Sequence, residues 1–235
     1  MKRYFSVFEM IARSSFYKVL LTIGGMVIAE SVCFYLSMIS PSGRTIEGYI
    51  DQSQYSLIFK IAYILVTILI VLPGMNLGST QSYTLKRLRI KEKNIFWLQA
   101  LYNVLAYVLL WGAQLMVIFG SILVYHRNLP EGVVVTNQTY FLAFYRSNFL
   151  HSLLPLEDKI GWIILICMAV TSAFATAEFT KEQRIGKFAF ELLILIATVM
   201  ITFPRQLGYE VTFEAIVMAG VYIVIWSRWG LRKLE

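Results

Sequence analysis

Long apolar runs, each close to the length of a membrane crossing, alternate along this chain with short polar connections. A helix needs roughly 20 apolar residues to cross the hydrocarbon of a bilayer. On that criterion the pattern predicts six spans, over Val19 to Ile39, Leu57 to Leu77, Phe96 to Tyr125, Ile160 to Ala177, Phe188 to Phe203, and Val211 to Trp226. The third is longer than a perpendicular crossing requires, which predicts tilt or an extension beyond the bilayer. The fifth is short and stops at Pro204. Pro73 and Gly74, near one end of the second span, predict a kink or a helix end, because proline removes a backbone donor and glycine tolerates the bend.

Two further segments carry helical periodicity without enough apolar length to span. In the first, Phe5, Phe8, Ala12 and Phe16 share a face, with Lys2, Arg3, Glu9 and Arg13 placed elsewhere. This predicts a helix lying along the membrane surface and leading into span one. In the second, Phe141, Tyr145, Phe149 and Leu153 repeat every four residues until Pro155 ends the pattern. That predicts one amphipathic helix, either resting on headgroups or capping a vestibule. The expected architecture is all-α: a single transmembrane domain with an interfacial helix over 1–18, six spans within 19–226 and a tail over 227–235. The basic, apolar start is expected to be retained, since Arg13 and Lys18 lie too far in for a cleaved leader and no small-residue cleavage site follows the first span.

Composition agrees with the pattern: 58% of residues are hydrophobic and 15% charged, with a mean hydropathy of +0.65. A formal charge of +7 would suit nucleic acid in a soluble domain. In a polytopic chain it is explained by cations held on the cytoplasmic side, facing anionic lipid. Of the 21 Lys and Arg, fifteen fall in the first tail, in the connections after spans two and four, and in the final tail. These segments are predicted to be cytoplasmic, with both termini inside. Arg44, Arg127, Arg146, Lys159 and Arg205 are predicted outside, and Lys60, within span two, is expected to snorkel outward.

Candidate chemistry is sparse. There is no GxxxxGK[ST] loop, no HExxH, no CxxC and no GxSxG, and His126 and His151 are both expected in the outer connection. No cofactor, metal site or catalytic residue is predicted, and no nucleic-acid partner. Cys33 and Cys167 lie in separate apolar runs, where a small soft side chain packs well. The NQT triplet at Asn137 is a formal glycosylation acceptor that matters only in a secretory pathway.

An ionisable group inside a span is costly and is a functional candidate for that reason. Glu30, in the middle of span one, is the leading example. If spans one and two are antiparallel neighbours, Tyr63 and Thr67 lie at its depth and can hydrogen-bond it. Two roles are open to it: a carboxyl that locks helices together, or one that contacts substrate or an ion. Glu191 is expected to pair with Lys187 one turn away.

One polar connection differs from the rest. SYTLKRLRIKEKNIF, Ser82 to Phe96, holds five cations against the single acid Glu92, and Leu85 and Leu88 share a face three residues apart. A short helix there would insert its apolar side into a partner's groove. The segment YTLKRLRIKEKNIF resembles the cytoplasmic coupling region between the second and third spans of bacterial export-type ABC permeases. The resemblance extends over the chain as architecture, and as sequence over this segment and the entry helix. It implies that Tyr83, Leu85, Lys86, Arg87, Leu88 and Arg89 form the segment that docks a separate ABC-type ATPase, and that Phe5 to Phe16 is the connecting helix. It also implies a second permease subunit in a homo- or heterodimer. One departure is that the substantial outer segment follows span three, whereas in that family outer re-entrant helices usually precede the last span. The alternative reading is a membrane substrate-capture or immunity protein that binds a peptide or small hydrophobic ligand without powered transport.

Overall fold

Each long apolar run becomes a helix because a chain in hydrocarbon must satisfy its backbone polar groups within its own segment. The computed structural model describes residues 2–39, 45–75, 91–128, 137–184, 189–204 and 210–231. Within them the chain is all-helical: α1 (Lys2–Ile39), α2 (Ile46–Gln52), α3 (Tyr55–Met75), α4 (Glu92–Arg127), α5 (Asn137–Arg146), α6 (Asn148–Leu153), α7 (Lys159–Arg184), α8 (Glu191–Thr202) and α9 (Glu210–Leu231).

Among the described residues, four helices are long and apolar enough to cross a membrane, over Tyr4–Ile39, Tyr55–Leu72, Glu92–Arg127 and Lys159–Gln183. Their surfaces agree. On α3, Leu57, Ile61, Leu65, Ile68 and Leu72 form one exposed stripe, while Ala62, Tyr63, Val66, Thr67 and Ile70 are buried. In water such a stripe would be a large aggregation-prone patch, whereas lipid covers it at no cost. α4 repeats the arrangement, with Leu101, Leu105, Met116 and Leu123 exposed. α8, at 12 residues, is about 18 Å long and falls short of the roughly 30 Å hydrocarbon by itself.

Several boundaries differ from those expected. The surface helix and span one are one continuous helix of 38 residues, with no break at residue 18, because nothing between Ser14 and Leu20 stops helical hydrogen bonding. α4 runs through 36 residues, as the long third run anticipated. It includes His126, which was expected in the connection; there it bonds the Tyr140 hydroxyl at 2.7 Å. The amphipathic segment after it is two helices rather than one. The chain breaks at Ser147, whose hydroxyl accepts from Leu150 N and donates to Asp51 Oδ1 at 3.3 Å. The expected face is split accordingly, with Phe149 and Leu153 buried and Phe141 exposed.

α1, α3, α4 and α7 pack against one another as the centre of the molecule, and α8 and α9 pack with each other and with α7. One end of this bundle is closed by α2, α5 and α6. There Phe34, Tyr49, Tyr55, Phe144 and Phe149 make an aromatic cluster with Ile118 of α4. The link from α2 into α3 is tight: Gln54 takes a positive φ of 57°, and the preceding Ser53 hydroxyl contacts Ser37 Oγ at 3.0 Å and Tyr49 O at 2.7 Å. α7 starts under Asp158, whose carboxylate accepts from Ile160 N at 3.0 Å. A Cβ at Gly161 would meet Asp158 Oδ2 at 2.6 Å and Pro155 Cβ at 2.8 Å, so only glycine lets the chain fold back there.

Candidate functional site: a polar stripe inside the bundle

The inner face of α4 carries the polar groups that the surface of the bundle lacks. Gln99, Asn103, Tyr107, Gln114 and Ser121 are all buried, and at 3.6 residues per turn they fall within about 80° of one another. Helix α4 therefore presents a polar stripe to α1, α3 and α7 and an apolar one to lipid. Polar groups buried in hydrocarbon need partners, and the three neighbouring helices supply them. Asn103 Nδ2 donates to Thr176 Oγ1 at 2.7 Å and to Ala173 O at 3.3 Å, both on α7. The Tyr107 and Thr67 hydroxyls share a bond of 2.9 Å, and those of Ser121 and Tyr55 share one of 2.7 Å. A further bond joins α1 to the other flank of α4, from Ser15 Oγ to Tyr102 Oη at 2.8 Å.

At the centre of this stripe is Glu30. It is fully buried, as is Gln114, and Gln114 Nε2 donates to Glu30 Oε2 at 2.8 Å. The remaining oxygens, Glu30 Oε1 and Gln114 Oε1, have no hydrogen-bond partner. The expected partners are engaged elsewhere. Tyr63 shares a bond of 2.8 Å with Ser172 on α7, and Thr67 donates to its own helix at Tyr63 O and contacts Tyr107. Spans one and two do pack together, as expected, but α1 also packs on α4, and that second contact is the one Glu30 uses.

Charged residues gather toward the other end of α7. Span four was expected to end at Ala177, with Lys181 in the cytoplasmic connection after it, yet Glu178, Lys181 and Glu182 are all buried. The helix continues through them, and Lys181 Nζ donates to both oxygens of Glu178 at 3.0 Å while sitting 5.7 Å from the centre of the Phe96 ring. Glu191 pairs with Arg228 of α9; the expected partner Lys187 lies outside the described residues. Lys60 donates to Met200 O at 3.1 Å, where a cation meets the negative end of α8.

No family model matches this chain, and no curated protein or solved structure matches it either. What it does has to be argued from the geometry.

The proposed docking residues Tyr83, Leu85, Lys86, Arg87, Leu88 and Arg89 lie outside the described residues. Of the candidates read from sequence, the structure describes Glu30 and moves its partner from α3 to α4. Sequence reasoning overlooked the neutral members of the stripe, because only ionisable residues within spans were weighed. Their signal was present as amides and hydroxyls recurring on one face of an otherwise apolar helix. Among the described residues no group of His, Cys, Asp and Glu is placed to hold a metal ion. The arrangement offers hydrogen-bond donors, acceptors and one acid, buried between helices.

Proposed function

We propose that this chain is the permease subunit of an ATP-driven exporter of the ABC type, forming a translocation pathway with a second permease subunit and taking its energy from a separate ATPase. The observation that carries the reading is the polar stripe of α4, in which Gln114, Asn103 and several hydroxyls face inward toward partners that include Glu30 of α1. A protein that only anchored something to a membrane would have no need of a polar interior, which costs more than a packed apolar one unless it contacts something polar. In this reading the crossings are six, with α8 and its flanking residues as the fifth and α9 as the sixth. Both termini and the basic segment Ser82 to Phe96 lie on the cytoplasmic side, as the distribution of Lys and Arg favours.

The ATPase docks on the basic segment through Leu85 and Leu88, while the cations around them hold the segment on the inner side and against anionic lipid. Replacing both leucines by Asp places two uncompensated carboxylates in the contact, a change on the order of 3–5 kcal/mol. The expected result is a protein that inserts with unchanged topology and copurifies with at least about tenfold less ATPase. Neutralising Lys91 and Lys93 instead weakens contact with anionic lipid by about 1 kcal/mol per cation and leaves the ATPase bound. Unchanged ATPase recovery with the double Asp variant removes the docking role. A tight small ligand recovered from wild-type protein in the absence of any ATPase favours the capture reading.

A further inference from the structure

We infer that Glu30 and Gln114 form a proton-holding acid–amide pair: Glu30 carries a hydrogen on Oε1 and donates it to Gln114 Oε1, while Gln114 Nε2 donates to Glu30 Oε2. The inference stands apart from the permease reading, because it uses only the atoms of these two side chains.

It starts from an inventory of donors and acceptors. An ionised carboxylate only accepts, and a primary amide has two donor hydrogens on one nitrogen and a single acceptor oxygen. The 2.8 Å bond from Gln114 Nε2 satisfies one oxygen of Glu30. One acceptor is then left over on each partner, Glu30 Oε1 and Gln114 Oε1, both without a hydrogen-bond partner and both on residues with no exposed surface. Two orphan acceptors on the two members of one bond are the signature of a missing hydrogen. A proton on the carboxyl supplies it and closes a two-bond ring, the pairing a carboxylic acid makes with an amide. A deprotonated Glu30 would instead set a full negative charge beside an amide oxygen in hydrocarbon, with nothing to offset it.

Among the described residues no Lys, Arg or His is paired with Glu30. The nearby side chains are Cys33 on α1 and Tyr55 on α3, neither of which can supply a cation, and the Tyr55 hydroxyl is already taken by Ser121. The proton therefore joins α1 to α4 in the middle of the bundle, and its release would replace an attractive contact by a repulsive one.

The test uses the full chain in lipid nanodiscs. Infrared spectra at neutral pH are expected to contain a protonated-carboxyl C=O band that is lost in Glu30→Gln and shifted in Gln114→Leu. Thermal unfolding is expected to leave Glu30→Gln at the wild-type midpoint, since the amide N–H takes the place of the acid O–H, and to lower the midpoint in both Glu30→Leu and Gln114→Leu. Absence of such a band in wild-type protein overturns the inference. So does a Glu30→Gln midpoint as low as that of Glu30→Leu. A wild-type midpoint raised by sodium but not by choline, with the effect absent in Glu30→Gln, overturns it in favour of a metal cation between the two oxygens. Should Glu30→Gln not fold, the wild-type band and its shift in Gln114→Leu still decide the matter.

Discussion

Glu30 and Glu178 are carboxyl groups with almost no exposed surface, and the bundle treats them in opposite ways. Glu178 has a lysine on both oxygens. Glu30 has an amide on one oxygen and nothing on the other. Depth separates them. Glu178 lies six residues before the end of α7, about 9 Å along the axis, whereas Glu30 lies nine residues from the nearer end of α1, about 14 Å, and its partner Gln114 thirteen from the nearer end of α4, about 20 Å. Lys181 is itself buried and is matched to both oxygens of Glu178, so the ion pair is tolerated. Further in, each ion would lose its hydration with little return, and a neutral hydrogen-bonded pair is the cheaper arrangement. The chain thus places an ion pair toward a helix end and an uncharged pair further along the bundle.

The strongest way to break this comparison is to remove the cation. Lys181→Leu takes both of the described ion-pair contacts from Glu178, and deleting one member of a buried ion pair costs about 3–5 kcal/mol. Thermal unfolding in nanodiscs should register it as the largest loss among these variants. A loss below about 1 kcal/mol for the single variant would mean that Glu178 is not held as an ion and that the two carboxyls are alike.

A smaller effect is expected from Asn103→Leu, which tests the neutral part of the stripe. It deletes the bonds to Thr176 and Ala173, while also removing Oδ1, which has no hydrogen-bond partner. Hydrogen bonds between membrane helices contribute on average about 0.6 kcal/mol and rarely above about 1.7, so a loss of about 1 kcal/mol is expected in the same assay. A loss as large as that of Lys181→Leu would show that α4 and α7 depend on this amide as much as on the ion pair.

These contrasts also explain what was legible in the sequence. Helix type and the long crossings follow from run length alone, since about 20 apolar residues in lipid have essentially one solution. Glu30 stood out because a carboxylate in such a run is conspicuous. Its partner did not, because which helices touch is a tertiary fact: α1 packs on both α3 and α4, and neighbours in sequence received the preference. The end of α7 was misplaced because Glu178, Lys181 and Glu182 lower the local hydropathy, and a window cannot tell a solvated charge from one that is paired and buried. Asn103, Gln114 and Ser121 went unread since an uncharged polar residue barely lowers the average; only their common face sets them apart. The break at Ser147 was hidden because Phe141, Tyr145, Phe149 and Leu153 keep helical spacing across it, and its cause, a serine hydroxyl bonded to Asp51 of α2, lies 96 residues away in sequence.

The smallest effect is expected at the capped end of the bundle, where the ion pair of Arg146 and Glu47 is partly exposed. Arg146 and Glu47 approach to 3.6 Å, with 64% of the arginine side chain exposed. An ion pair in that setting is screened by solvent and salt, and it contributes about 0.2–1 kcal/mol at most. The cap itself is held by apolar contacts of α5 and α6 with Ile118 and Tyr55 and by Ser147 on Asp51, none of which Arg146 makes. Arg146→Ala should therefore shift the unfolding midpoint only slightly at low salt and not at all at high salt, whereas the loss in Lys181→Leu should persist at both. A loss in Arg146→Ala that is large and independent of salt would place this pair in a low-dielectric setting like that of Glu178. The division of the molecule into a wet cap with weak ion pairs and a dry bundle with strong ones would then fail at its outer edge.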